Sequence, residues 1–365
     1  MNTPSNELHI FQVAADDIGI LWTDLLRLAP NPLSPIGPDL KEYAPGSGQV
    51  TPELQKIAAQ PQAVKAAAML AQPDLRLHCW MGGATTSLSY AVFCRSRAVD
   101  PDGVAVFAPS YQGSLLVNYF PSVAMGATWG ADVLGSDVTG EPPLLLPPVM
   151  PLESAVYAFH TIDCFRRVAY QSMLEHVTLE TPHLTVPQFT AAFNQSLASA
   201  DIRWLLPAFL QMTTGVRDLP FAPRSEHLGL LVEEKILRPV RVGEAREPAY
   251  AFGEAGRLLG IEFLRTWWTA AALTLDLLEG NAIRKDQRIF VAPTAVANHW
   301  FTVKEVSGGA VVDCAPLTRL AMQQRLADLL ETPAPEPPAA FCPSCGEKIQ
   351  PGARFCRACG YRLVA

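Results

Sequence analysis

The chain has 365 residues, 49% hydrophobic and 17% charged, with a formal net charge of −7. Such a composition buries a real core, which excludes overall disorder, and the length holds one large or two ordinary domains plus a small appendage. The tail from Phe341 holds four basic residues and one acid, so of the chain's 28 basic and 35 acidic residues the body keeps 24 and 34, a net of −10, a poor match for long-range attraction to phosphate backbones.

The N-terminus, MNTPSNELHIFQVAADD, has no basic start and no apolar run before a small-residue cleavage site. The most apolar region, Trp267 to Leu278, is cut by Asp276, and no run reaches the ~18 apolar residues of a membrane span. The expectation is a cytoplasmic protein without a membrane span. Apolar residues at helical spacing predict a helix over Asp16–Leu28. Thr51-Pro52-Glu53 opens a second, with Thr51 as N-cap, an interruption at Pro61 and an end near Gln72-Pro73. Strands are predicted at Leu75–Trp80, Leu88–Arg95, Val104–Ala108 and Leu115–Phe120, separated by turn-forming stretches, and a helix at Ser122–Leu134 packs on them.

Further helices are predicted at Leu152–His176, Pro187–Ser199, Ile202–Met212, Ser225–Lys235 and Glu254–Leu278. Strands Arg288–Ala292, Trp300–Val306 and Ala310–Cys314 follow, then a last helix at Leu317–Leu330. The fold class is α+β, with antiparallel sheets and packed helices. Val106–Ser110 recurs in type as Phe290–Thr294, an echo that predicts a pseudo-two-fold pair of sheet-and-helix halves. The division expected is a body at 1–330 with halves 1–150 and 255–330 around a helical middle 151–254. A proline-rich tether at 331–340 would reach roughly 30 Å as polyproline II, and a metal module would fill 341–365.

That module carries the most specific pattern in the chain. FCPSCG and FCRACG repeat fourteen residues apart and supply Cys342, Cys345, Cys356 and Cys359. A Cys-x-x-Cys spacing lets one tight turn aim two sulfurs at one ion, and Gly346 and Gly360 provide the backbone freedom such turns need. Phe341 and Phe355 would form a miniature core, and a hairpin through Gln350-Pro351-Gly352 would join the pairs. A redox pair or a rubredoxin-like iron site are the competing chemistries. The stretch Phe341 to about Arg362 resembles the zinc-ribbon family, which implies one closed, structural Zn2+ with those four cysteines as ligands. The other cysteines, Cys79, Cys94, Cys164 and Cys314, stand alone in apolar surroundings, as small buried hydrophobes do.

No nucleophile elbow, phosphate-binding loop or zinc-protease motif is present, so no catalysis is expected. His160 and Asp163 share a helix face without a third ligand nearby. Leu228 to Gly260 orders as helix, strand, polar turn, strand and helix, and looks like the C-terminal part of bacterial winged-helix domains. In that resemblance Arg238, Arg241 and Arg246 sit on the wing and touch nucleic acid. Against it, His183–Gly260 carries eight basic and eight acidic residues, and the presumed recognition helix contains Glu226, Glu233 and Glu234. The whole layout from Leu8 to Leu330, a helix pair leading through Pro73-Asp74-Leu75 into an antiparallel sheet, then a helical middle and a second sheet, is similar to the EspG-type chaperones of type VII secretion systems. That family implies two pseudo-symmetric halves, no catalysis and a protein partner. The expectation is a non-enzymatic, zinc-binding protein-recognition module, with a winged-helix transcriptional regulator as the alternative.

Overall fold

The computed structural model describes residues 9–83, 87–110, 113–178, 181–219, 222–264 and 270–333, and beyond them 344, 345, 347, 355, 357–359 and 361. The first half runs through strand β1 (His9–Ala14), helices α1 (Gly37–Glu42), α2 (Pro52–Ala58) and α3 (Pro61–Ala71), the meander β2 (Leu75–Gly82), β3 (Leu88–Ser96), β4 (Asp100–Pro109) and β5 (Ser114–Phe120), and helix α4 (Val123–Leu134). Start signals in the sequence set these helices. The Thr51 hydroxyl accepts the Leu54 N–H at 3.3 Å, Pro61 opens α3, and the Ser122 hydroxyl accepts the Met125 N–H at 3.3 Å.

The second half repeats the plan with an insertion. An edge strand β6 (Val149–Pro151) leads into α5 (Leu152–Leu174) and then into β7 (His183–Thr185), α6 (Val186–Ala198), α7 (Leu205–Met212), α8 (Leu228–Glu233), β8 (Leu237–Val242), β9 (Glu247–Phe252) and α9 (Glu254–Leu264). A second meander follows, β10 (Ala271–Glu279), β11 (Ala282–Pro293), β12 (Asn298–Val306) and β13 (Gly309–Leu317), closed by α10 (Arg319–Glu331). The α9 helix lies unusually close to its neighbours, because Gly256 meets the Ile236 carbonyl and Gly260 meets the Phe165 ring where a side chain would collide.

The fold is α+β. Ten strands form one antiparallel sheet in the order β1-β5-β4-β3-β2-β10-β11-β12-β13-β6, and β7-β9-β8 form a small second sheet. The large sheet is two meanders joined at a central seam, β2 against β10, with His78 opposite Thr274 at its middle. On one face α4 and α10 pack together over Leu75, Leu77, Cys79, Leu273, Leu275 and Leu277. On the other face the layers are separate: α2, α3 and the turns before them cover the first half, and α5 to α9 cover the second.

Two predicted helices are corrected. Asp16–Leu28 is not one α-helix but a 3-10 turn at Ala15–Asp17 and a wider π-type turn at Ile20–Leu25. That geometry buries Ile20, Leu21 and Trp22 in succession, which one stripe of a regular helix does not do. The predicted helix Glu254–Leu278 is described as helix over Glu254–Leu264, and its later part, Ala271–Glu279, is the central strand β10. Its run AALTLDLLE is covered on both faces, so the alternation that marks a half-buried strand is missing. The echo between Val106–Ser110 and Phe290–Thr294 joins non-equivalent strands, since β4 is third in its meander and β11 second. The two-fold layout is present, but those segments are not its counterparts.

Candidate recognition strip and zinc centre

Strand alternation sends Leu75, Leu77, Cys79 and Met81 to the face under α4 and α10, and Arg76, His78 and Trp80 to the other. On that second face the two helical layers part at the seam. Tyr90 packs at the rim of the first-half core and Trp80 at the rim of the second-half core, so both rings stay partly exposed. The rings form a continuous row, with centroids 5.2 Å apart for His78–Trp80, 5.3 Å for Trp80–Tyr90 and 6.1 Å for Tyr90–Phe107. Leu88, 48% exposed, lies where β3 begins beside the strip.

The strip's floor is held by polar contacts across the seam. Arg76 forms an ion pair with Asp276 at 2.6 Å and donates to the Leu33 carbonyl at 3.1 Å. Thr274 and Thr214 pair their hydroxyls at 3.2 Å. Burial pushes the His78 ring below its usual range and the adjacent Arg76 adds to this, while Asp276 opposes it. Burial and the nearby Asp39 push the Tyr90 hydroxyl up. Both aromatic groups are therefore neutral near pH 7, and the fixed charges of Arg76 and Asp276 offset each other. The chemistry offered is aromatic and apolar contact with a few polar edges. These residues are not among the predicted sites. The signal for them is the period-two pattern Arg76, His78, Trp80 opposite an apolar face, which marks a strand side that packing does not fully cover.

His160 and Asp163 are fully buried in α5. The Asp163 carboxylate accepts the Leu205 and Leu206 N–H groups at 2.9 Å and the Arg166 guanidinium at 3.0 Å, so it fixes the start of α7. Cys79, Cys94, Cys164 and Cys314 are buried, and burial raises every one of these thiols, Cys94 and Cys314 to about 12. Leu228–Leu264 folds as helix, hairpin and helix in the expected order, but the arginines are not gathered on one side. Arg238 and Arg241, three apart on β8, point to opposite faces of the hairpin, and Arg241 donates to the Arg246 carbonyl at 3.1 Å in the turn. Glu226, Glu233 and Glu234 are exposed on the short helical segment beside them.

In the C-terminal module Cys345 and Cys359 each lie in an exposed turn, as a thiol-lined knuckle requires, while Cys342, Cys356, Gly346, Gly360, Phe341 and the Gln350–Gly352 turn lie outside the described residues. Phe355 is 56% exposed, so it is not enclosed in a miniature core. Four cysteine thiols in two Cys-x-x-Cys pairs are a donor set that suits tetrahedral zinc. Among the described residues no group of three or more His, Cys, Asp or Glu side chains is placed to hold a metal, and no helix is long and apolar enough to cross a membrane.

Comparison with known proteins bears on both parts. A family model described as a zinc-ribbon domain matches residues 341–363, and this stretch is a zinc-ribbon domain. No curated protein matches the chain. Among solved structures the chain is similar to the Mycobacterium tuberculosis type VII secretion system chaperone EspG5, solved in complex with a PE25-PPE41 dimer. The two share 13% identity at a TM-score of 0.48, over 90% of this chain and 98% of that one.

Proposed function

We propose that this chain is a non-enzymatic recognition protein of the cytoplasm, a chaperone or adaptor of a secretion-type system, which holds an apolar segment of a protein partner against the seam. The reading rests on one observation, the row His78, Trp80 and Tyr90 left partly uncovered where the two helical layers part. Rigid aromatic rings on a sheet give large contact area with little loss of side-chain freedom, as in the anchors of protein interfaces. Neutral rings beside a self-compensated ion pair favour binding over proton transfer. In this reading the body spans 1–330 and the tether 331–340. The ribbon at 341–365 holds one structural Zn2+ through Cys342, Cys345, Cys356 and Cys359. The metal supplies a cross-link that a module without a core needs, and with all four positions filled by protein it offers no place for a substrate.

The second reading is a winged-helix nucleic-acid-binding regulator. It has in its favour the strand order β7-β9-β8 with helices before and after. The opposed faces of Arg238 and Arg241 and the exposed glutamates speak against it.

The test places a photo-cross-linking phenylalanine analogue at Tyr90 and, as a control, at the exposed Glu53 on α2, in the native cell. The reading expects one dominant protein adduct from position 90 that is absent from position 53 and is lost with Trp80→Ala. Equal, diffuse labelling from both positions would sink it.

A further inference from the structure

A second surface lies away from the seam. The loop 135–145, helix α9 and the β11–β12 turn enclose an open groove of about 710 Å³. Its apolar walls include Leu258, Ile261 and Val296, which are 49%, 46% and 44% exposed, an unusual cost in water for three neighbouring aliphatic side chains. Its rim is acidic: Asp137 and Glu141 stand exposed, and residues 135–151 contain no Lys or Arg. Glu262 faces the groove from α9, its carboxylate fixed by the buried His299 ring and the Thr294 hydroxyl. Arg319 of the neighbouring α10 is already matched to Asp132, and the exposed Arg257 precedes Leu258 on α9 without being part of the groove lining.

The same chain carries an occupant of the right chemistry. The ribbon has Lys348, Arg354, Arg357 and Arg362 against one acid, on a chain whose remainder is strongly acidic. It also presents Phe355 and Tyr361, 56% and 45% exposed. Reach is sufficient. Helix α10 starts at the groove wall, where the Arg319 N–H donates to the Val138 carbonyl at 2.8 Å. Its 13 residues carry the chain about 20 Å from that point, and the tether spans roughly 30 Å. We infer that the zinc ribbon docks back onto the body of its own chain, seating Phe355 and Tyr361 against Leu258, Ile261 and Val296 and its basic residues against Asp137 and Glu141. The contact does not depend on what the seam binds.

Lys348 is the last lysine of the chain and the only one after Lys304, so it reports the docked state. A zero-length carbodiimide reaction links a lysine only to a carboxylate it touches. In the zinc-replete full chain the expected main product joins Lys348 to Asp137 or Glu141. In an equal mixture of isotopically light and heavy chains the linkage stays within one chain, and it falls at least about fivefold in 0.5 M salt, where screening acts within roughly 4 Å. Phe355→Ser with Tyr361→Ser leaves every reactive group in place and lowers the yield by a similar factor. Leu258→Ser with Ile261→Ser does the same from the body side, which keeps the test valid if the ribbon variant loses its metal. Linkages between chains, linkages spread over the acidic surface, or yields unchanged by the body-side variant overturn the inference.

Discussion

Arg76 on β2 and Asp276 on β10 lie 200 positions apart in the chain and meet at 2.6 Å across the seam. Asp276 is almost fully buried, and among the described residues its second oxygen, Oδ1, has no hydrogen-bond partner. Removing one member leaves the other charge buried and uncompensated. Asp276→Leu is expected to cost about 3 kcal/mol, whereas Arg76→Met with Asp276→Leu costs less than the two single losses added. Denaturant unfolding of the four proteins in the cycle measures both quantities. An additive double variant would mean that the pair does not couple the halves.

Gly260 sets the distance between α9 and α5. A Cβ at this position would lie 2.2 Å from the Phe165 ring carbon Cγ, so one helix must shift. Gly260→Ala is expected to destabilise the chain by about 1–3 kcal/mol. Phe165→Ala in the same chain makes room and recovers part of that loss. Thermal unfolding of the single and double variants decides, and a neutral Gly260→Ala would show that the helices separate freely.

His160 gives the chain a dependence on pH. Burial lowers its pKa from 6.5 to about 3, and the neutral ring donates Nε2–H to the Phe189 carbonyl at 3.1 Å. The unfolded chain therefore takes up this proton before the folded one does. Its contribution to stability is complete above pH 6.5 and is lost as the pH falls toward about 3, with a slope near 1.4 kcal/mol per pH unit. Asp163 shifts upward by burial and acts in the opposite sense, so the expected result is a difference. His160→Gln, which keeps a donor, flattens the acid side of the stability curve relative to the parent. Parallel curves from pH 7 to 4 would refute this.

Zinc analysis of freshly purified chain is expected to return one equivalent, and less than half an equivalent after Cys345→Ser or Cys359→Ser. Chelation removes the metal and shifts the thermal midpoint of the body by no more than about 2 °C. This follows because the strands and helices of 9–331 bury their own cores without the ribbon. Collapse of the body on chelation would contradict the separation of the two parts.

How much of this was legible in the chain depended on how local the signal is. The meander from Leu75 to Phe120 is readable because alternation and turn residues mark each strand in place. Thr51, Pro61 and Ser122 likewise announce their helices. The strand β10 is not, since Leu273, Leu275 and Leu277 face one core while Ala272 and Thr274 face the other, and burial on both sides removes the period. The β1 strand is missed for the opposite reason: six residues against β5 owe their order to a partner about 105 positions away. The four zinc-ribbon cysteines carry their pattern in spacing alone. The strip of His78, Trp80 and Tyr90 has only a half-signal, because nothing in the sequence says that the helix layers part above those rings.

Two antiparallel strands paired about a two-fold axis are how separate subunits join their sheets edge to edge. Here the partners are covalently linked through residues 135–148, between α4 and β6, so each half meets the other at an effective concentration in the millimolar range. A seam within one chain can therefore be too weak to hold a dimer and still stay closed. It is also free of the demand that both sides be identical. The second half has used that freedom to take in α6 to α9, while the first has remained a bare sheet and its covering helices.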